Sequence, residues 1–163
     1  MPDESIGLRA ARVDECEALT DLAVRSKAHW GYDAEFLARC RALDLRVSSD
    51  TFASGPVVVA ERDGAVLGFY AIDARGPIAE LAFLFVEPHA IGGGVGARLL
   101  RHACEAVRGL GHPHLAIVSD PFAEDFYLRA GAVRVGATES TVTPGRMLPL
   151  LHLAVEPLGN RAR

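Results

Sequence analysis

The sequence lacks the segments that would place a protein in a membrane or in an oxidising compartment. Its longest strongly apolar run is the six-residue stretch Leu81–Val86, whereas a membrane-spanning helix needs about 20 residues. Cys16, Cys40 and Cys104 are widely spaced and form no CxxC pair, which argues against a disulfide framework or a zinc knuckle. The acidic start, Met1–Ser5, lacks the apolar stretch of a secretory signal. We therefore predict a cytoplasmic protein that has no membrane segment.

Clustered positive charge is also missing. Lys27 is the only lysine, no run of basic residues occurs, and the formal net charge is −4. Because phosphate-backbone binding depends on clustered Lys and Arg, nucleic acid is not expected as a partner. Hydrophobic residues make up 50% of the 163-residue chain and charged residues 23%, which is typical of a globular domain. We expect a single domain over residues 1–163.

The hydrophobic pattern predicts the element order β-α-α-β-β-β-α-β-α-β-β, a mixed α/β domain. Apolar residues at helical spacing from Cys16 to Trp30 predict the first helix, with Asp14 as its N-cap. Asp33 is expected to cap the second helix, and Asp120 a later one. Strands are predicted at Ile6–Ala10, Val57–Ala60, Ala65–Ile72, Ile78–Val86, Leu115–Val118, Ala132–Ala137 and Met147–Val155. The apolar character of Ile78–Val86 predicts burial on both faces.

The most informative segment is the glycine-rich turn after the third long strand. Gly92, Gly93, Gly94 and Gly96 stand between that strand and a predicted amphipathic helix. Such a turn lets backbone N–H groups and the positive end of the helix approach an anion such as a phosphate. The alternative is an ordinary flexible turn.

The type of phosphate ligand is not fixed by the glycines alone. Gly92-x-Gly94-x-x-Ala97 matches a dinucleotide fingerprint, and Asp120 follows near the ribose-binding spacing. Against a dinucleotide, residues 87–91 separate the strand from the first glycine, and the motif lies in the middle of the chain. A Walker A loop is excluded because no Lys-Ser/Thr pair follows the last glycine. A small nucleotide-binding domain therefore stays a rival interpretation.

Two blocks of this sequence resemble the GNAT superfamily of N-acetyltransferases. The glycine turn is similar to its acetyl-CoA pyrophosphate loop, Arg/Gln-x-x-Gly-x-Gly/Ala: Gly94 and Gly96 match the glycines, and Ile91 replaces the Arg/Gln. Residues 120–132 are similar to the pattern Asn-x-x-Ala-x-x-Phe-Tyr-x-x-x-Gly-Phe, with Asp120 in place of the Asn and an alanine in place of the last Phe. The blocks have the expected order, and the resemblance covers about residues 57–140.

The resemblance implies a GNAT-type acyl-CoA N-acyltransferase fold, in which helices flank a mixed central sheet. It implies transfer of an acetyl group from acetyl-CoA to a small-molecule or peptide amine by direct attack, with no metal, and it allows a homodimer. The alternative is a non-catalytic acyl-CoA-binding sensor or regulatory module on the same fold. The residues implied to bind acetyl-CoA lie in the strand end, the glycine turn and the second block: Leu84, Phe85, Val86, Ile91, Gly92, Gly93, Gly94, Val95, Gly96, Ala97, Asp120 and Phe126.

The resemblance also implies the catalytic groups. Tyr127 is the candidate general acid for the leaving thiolate, and the alternative is a tyrosine that only fills the core. Glu80 is the candidate general base for the attacking amine, and the alternative is a solvated glutamate at a strand end. Backbone N–H groups of Leu84, Phe85 and Val86 are the candidates for polarising the thioester oxygen.

Candidate acceptor contacts lie in two connections. Trp30 and Tyr32 flank the turn between the first two helices, where the resemblance implies a border of the acceptor pocket. Alternatively, Trp30 ends the apolar stripe of its helix. Ser140 and Arg146 flank the last β connection, which either reaches the acceptor or forms a solvated loop.

Overall fold

A mixed β-sheet with helices on both faces forms the centre of the fold. The structure is a computed structural model, and it describes residues 5–155 of the chain. Its strands are β1 (Gly7–Ala10), β2 (Val57–Arg62), β3 (Ala65–Asp73), β4 (Ala79–Val86), β5 (His114–Val118), β6 (Val133–Glu139) and β7 (Met147–Ala154). They lie in the order β1-β2-β3-β4-β5-β7-β6, and within the described residues only the β4–β5 pair is parallel. The predicted α/β class with a mixed central sheet is confirmed.

The helices divide between the two faces of the sheet. They are α1 (Cys16–Ala28), α2 (Ala34–Leu43), α3 (Ser49–Ser54), α4 (Val95–Gly109) and α5 (Glu124–Arg129). Leu99 of α4 belongs to one core cluster together with Tyr70 of β3, and Leu19 of α1 belongs to a second cluster with Phe69 of β3. Because neighbouring residues of a strand point to opposite faces, α4 and α1 cover opposite sides of the sheet.

The first two helices begin differently from one another. Asp33 caps α2 as predicted, since its carboxylate accepts a hydrogen bond from the backbone amide three residues later at 2.8 Å. The prediction that Asp14 caps α1 is wrong, because Asp14 lies inside a short 3-10 helix that precedes α1. In this turn the carboxylate of Glu15 forms an ion pair with Arg9 of β1 at 2.9 Å.

Two short helices also differ from the predicted pattern. α3 is missing from the predicted element order. It has six residues and one large apolar side chain, Phe52, so it is too short to show a helical periodicity in the sequence. The prediction that Asp120 caps a helix is wrong, because its Oδ1 caps a turn by accepting from the Phe122 amide at 2.9 Å, and α5 begins later. The other carboxylate oxygen is occupied by Lys27 and Tyr32.

Candidate active site

The sheet opens between β4 and β5. These strands pair in parallel only at Ala79 with Leu115 and at Glu80 with Ala116. Residues 81–86 of β4 continue to pair with β3, except for Ala82 at a bulge, while β5 pairs with β7 along its whole length. Beyond Glu80, the backbone of β4 that faces β5 is therefore left without a sheet partner.

The register of β4 decides which of its amides face this opening. The Glu87 amide donates to the Leu67 carbonyl at 2.7 Å, toward the β3 side. Because N–H groups alternate in direction along a strand, the Phe85 amide also faces β3, whereas the Leu84 and Val86 amides face the opening. The structure thus brings two of the three predicted oxyanion donors to the opening and directs Phe85 away from it.

The last turn of α1 covers the opening on one side of the sheet. The Val86 amide lies 3.4 Å from Ser26 Oγ of α1, which agrees with the direction assigned to this amide. In the next position of α1, Lys27 Nζ lies 3.2 Å from Asp120 Oδ2, just beyond the end of β5. Consecutive residues of α1 therefore contact both edges of the opening, while α4 packs on the opposite face.

The glycine turn leads into α4 on that opposite face. Gly92 and Gly94 have φ angles of +86° and +87°, a region that side-chain-bearing residues rarely adopt. The first hydrogen bond of the helix runs from the Arg98 amide to the Gly94 carbonyl at 3.1 Å, so the amides between them have no acceptor within the helix. A Cβ on Gly96 would lie 3.4 Å from the Phe126 ring. The turn therefore presents free amides at a helix start, beside an aromatic wall.

The predicted acid Tyr127 is a buried ring whose tip reaches solvent. Its side chain lies on α5 and the residue is 7% exposed. Among residues 5–155 its hydroxyl has no hydrogen-bond partner. In the same range the one side-chain oxygen or nitrogen that is both fully buried and without a partner is Thr143 Oγ1. The Tyr127 hydroxyl oxygen is therefore not fully buried. Burial, with the nearby charge of Asp120, raises the pKa of the phenol, so it is protonated at neutral pH and able to donate.

A cluster of charged and aromatic side chains lies on the α1 side, and we call it the aromatic–charged cluster. Its members are Lys27, Trp30, Tyr32, Phe36, Asp120, Phe122 and Arg146. The Tyr32 hydroxyl donates to Asp120 Oδ2 at 2.8 Å and accepts from Arg146 Nη2 at 2.8 Å. Burial, followed by the hydrogen bond to Asp120, raises the pKa of Tyr32 to about 12.

This cluster gathers residues that the sequence placed in separate roles. Trp30 and Tyr32, predicted at the acceptor pocket, share it with Arg146 from the last β connection. Asp120 was predicted to contact the cofactor, but within the described residues its polar side-chain contacts go to Lys27, Tyr32 and the Phe122 amide. Sequence reasoning missed the role of Lys27, Phe36 and Phe122, and the single signal was that Lys27 is the only lysine.

Glu80 lies at the start of the opening, and its surroundings differ from the predicted ones. The prediction that this strand is buried on both faces is wrong, because Glu80 and Ala82 are exposed. The strand leaves β5 after Glu80 and has a bulge before Phe83. The Cα atoms of Glu80 and Leu84 are about 13 Å apart along the strand, since four residues each rise by ~3.3 Å. Proton transfer between a reacting group near Leu84 and this carboxylate would need water.

Two further kinds of site have no counterpart in the described part of the chain. Residues 5–155 contain no group of three or more His, Cys, Asp or Glu side chains placed to hold a metal ion. No helix in the same range has the length and apolar character needed to cross a membrane.

Comparison with known proteins finds one domain match and a shared fold. Residues 53–131 match the family model of the acetyltransferase (GNAT) domain, and no curated protein matches the chain at a significant level. A GCN5-related N-acetyltransferase from Rhodopseudomonas palustris has the same fold, with a TM-score of 0.78 at 18% identity over 94% of this chain and 98% of its own.

Two further solved structures contain the cofactor. The PaiA N-acetyltransferase of Thermoplasma acidophilum, solved in complex with coenzyme A, has a TM-score of 0.71 at 18% identity over 92% of this chain and 99% of its own. YncA of Salmonella typhimurium, solved with acetyl-CoA, has a TM-score of 0.66 at 20% identity over 93% of this chain and 95% of its own. At these identities the likeness shows a shared fold. Residues 53–131 are therefore identified as a GNAT acetyltransferase domain, within a chain that has the fold of these acetyltransferases.

Proposed function

We propose that this chain transfers an acetyl group from acetyl-CoA to an amine by direct attack, within the opening between β4 and β5. The observation that carries the proposal is the opening itself, where β4 amides without a sheet partner lie beside the free amides of the glycine turn. The coenzyme A and acetyl-CoA complexes of PaiA and YncA support it. We further propose that residues 1–163 act as one domain.

In this proposal the cofactor lies on the α4 side of the sheet. The amides of Val95, Gly96 and Ala97 at the start of α4, joined by that of Gly94, bind the pyrophosphate, since they have no helical acceptors and the helix dipole favours negative charge there. The Gly93 amide already donates to the Ala90 carbonyl at 3.2 Å. Ile91 and Phe126 flank this site. The Leu84 and Val86 amides hold the pantetheine arm and the thioester oxygen. Val86 can exchange its long 3.4 Å contact with Ser26 for a cofactor acceptor at little cost.

The reaction requires one bond to form, one to break and two proton movements. A neutral amine attacks the thioester carbon from the α1 side, and negative charge builds on the carbonyl oxygen beside the β4 amides. As the C–S bond breaks, Tyr127 donates its proton to the departing thiolate of coenzyme A. The surplus proton of the nitrogen passes through water to Glu80. The products are an N-acetylated amine and free coenzyme A, and no acetyl-enzyme forms.

The cofactor assignment predicts a selective gain in stability. At 100 times its dissociation constant, acetyl-CoA is expected to raise the free energy of unfolding by about 2.7 kcal/mol, because it binds only the folded glycine turn and opening. Thermal unfolding with acetyl-CoA, coenzyme A and NAD in parallel measures this. A clear shift with NAD and none with acetyl-CoA would replace the proposal with the dinucleotide-binding interpretation.

Glu80→Gln is expected to lower kcat/KM by about 10²-fold at neutral pH, the lower end of a general base's usual contribution. An alkyl ammonium has a pKa near 10.4, so a base is needed at pH 7 and becomes unnecessary when the free amine dominates. The loss should therefore shrink as pH rises toward 10, with acetyl-CoA affinity unchanged. The measurement is a pH–rate profile of both proteins with one acceptor.

The matched control for this profile is Glu105→Gln, since Glu105 is an exposed glutamate on α4. Its profile should coincide with that of the unmodified protein. If the Glu80→Gln profile is lowered equally at every pH, Glu80 only positions the substrate. The better candidate for the base is then a water chain or His89, an exposed residue between β4 and the glycine turn.

A further inference from the structure

Arg146 is a half-buried cation without a carboxylate partner. Its guanidinium carbon lies 5.4 Å from the centre of the Tyr32 ring and 5.3 Å from that of Phe36. Its Nη2 donates to the Tyr32 hydroxyl at 2.8 Å. Within residues 5–155 Arg146 takes part in no ion pair. A guanidinium has five N–H donors, so several remain for a ligand.

The charges around Arg146 do not neutralise it. Lys27, the other cation of the aromatic–charged cluster, already pairs with Asp120, the cluster's one carboxylate, at 3.2 Å. A partly buried charge is costly unless it is paired, and stacking on aromatic rings compensates for only part of that cost. The cluster therefore carries one positive charge in excess, located at Arg146, with geometry suited to a bidentate carboxylate.

The cluster lies where an acceptor would approach the thioester. Lys27 directly follows Ser26, which contacts the Val86 amide at the edge of the opening, and its partner Asp120 lies just beyond β5. A molecule that enters from the α1 side therefore passes the cluster before it reaches the β4 amides.

An exposed aromatic surface continues the cluster outward. Trp30 and Phe122 stack with ring centres 5.6 Å apart and an interplanar angle of 8°, although they are 37% and 57% exposed. Phe122 in turn contacts the Tyr32 ring edge-on at 5.8 Å. Exposed stacked rings near a guanidinium that has no carboxylate partner offer an apolar surface and a charge within one site.

From this arrangement we infer that the acceptor is an amine that also carries a carboxylate, with Arg146 binding the carboxylate and the Trp30–Phe122 stack contacting an apolar side chain. The class of acceptor is thus an α-amino acid or a close analogue. This inference rests on the proposed acetyl transfer and specifies its substrate. Arg146 is here a specificity-determining residue, because it binds the part of the acceptor that does not react.

The test compares acceptors that differ only in the carboxylate. We expect kcat/KM for L-phenylalanine to exceed that for 2-phenylethylamine by at least about 100-fold, because a site built around a charged donor strongly disfavours the analogue that leaves it unpaired. In Arg146→Gln this ratio should fall below about 10, chiefly through a higher KM for L-phenylalanine. Arg146→Lys should recover part of the ratio, since lysine keeps the charge without the planar fork.

The control and the contrary outcomes separate this inference from the proposed function. Arg101→Gln, at an exposed arginine of α4, should keep the full ratio. The comparison is extended to the other standard amino acids and their decarboxylated amines. Acetylation of carboxylate-free amines alone, or a ratio unchanged in Arg146→Gln, overturns the inference and leaves acetyl transfer standing. If acetyl-CoA binds but no acceptor of either kind is acetylated, acetyl transfer itself fails and the inference falls with it.

Discussion

Gly94→Val is expected to weaken acetyl-CoA binding by at least about 100-fold while the domain still folds. Gly94 has a φ of +87°, and a β-branched residue in this region costs about 1–3 kcal/mol. The turn can relieve that strain only by rotating the backbone that aims the amides at the pyrophosphate. Apart from its chain neighbours, nothing lies within 4 Å of a Cβ at this position, so the Cβ itself causes no clash, and the added side chain is expected to enter the space proposed for the phosphate.

The matched control lies at the other end of the same helix. Gly111 has a φ of +89°, and a Cβ there also has no neighbour within 4 Å. Gly111→Val should therefore lower the unfolding temperature about as much as Gly94→Val but bind acetyl-CoA normally. Titration calorimetry on the three proteins measures the difference. Normal binding by Gly94→Val, or an equal loss in both variants, would show that the glycine turn is not the pyrophosphate site.

Tyr127→Phe is expected to lower the rate of the chemical step by about 10²–10⁴-fold, the usual contribution of a general acid. The phenylalanine ring preserves the packing of a residue that is 7% exposed. Only the hydroxyl is lost, and it has no partner within residues 5–155 whose hydrogen bond would be broken. Acetyl-CoA affinity should therefore stay within about threefold. A single-turnover measurement is the right assay, because slow product release can hide the chemical step in kcat.

A second buried tyrosine provides the control for this variant. Tyr70 is fully buried, its hydroxyl lies 2.8 Å from Nδ1 of His102, and burial raises the pKa of this phenol as well. Tyr70→Phe should cost about 1 kcal/mol of stability through the lost hydrogen bond and leave the single-turnover rate unchanged. An unchanged rate in Tyr127→Phe would return Tyr127 to the role of a core-filling side chain.

Local patterns in the sequence were enough for most of the fold. The apolar stripe of α4, the Asp33 cap of α2 and the alternation of the strands all depend on residues within a few positions of one another. In these elements the tertiary contacts agree with the local signals. The glycine turn could be predicted for the same reason, because glycine is the residue type that readily adopts the positive φ angles found at Gly92 and Gly94.

Several features of the site depend on contacts between residues that are far apart in the sequence. Asp120 caps a local turn with one carboxylate oxygen, and Lys27, 93 positions away, holds the other. The pairing of Tyr32 with Arg146 spans 114 positions, so neither residue alone showed that it belongs to a shared cluster. The exposure of Glu80, which pairs with both β3 and β5, is likewise not reported by the apolar pattern of the strand. Site geometry therefore had to come from the structure.

The most direct test of acetyl transfer uses the unmodified protein with acetyl-CoA and the standard amino acids and their decarboxylated amines as acceptors. In each reaction, release of the coenzyme A thiol and the mass of the amine product are measured together. We expect one thiol released for each acetylated amine, none without an amine, and no acetyl group left on the protein. Saturable acetyl-CoA binding without thiol release for any amine would contradict the central claim and indicate a non-catalytic acyl-CoA-binding module on this fold.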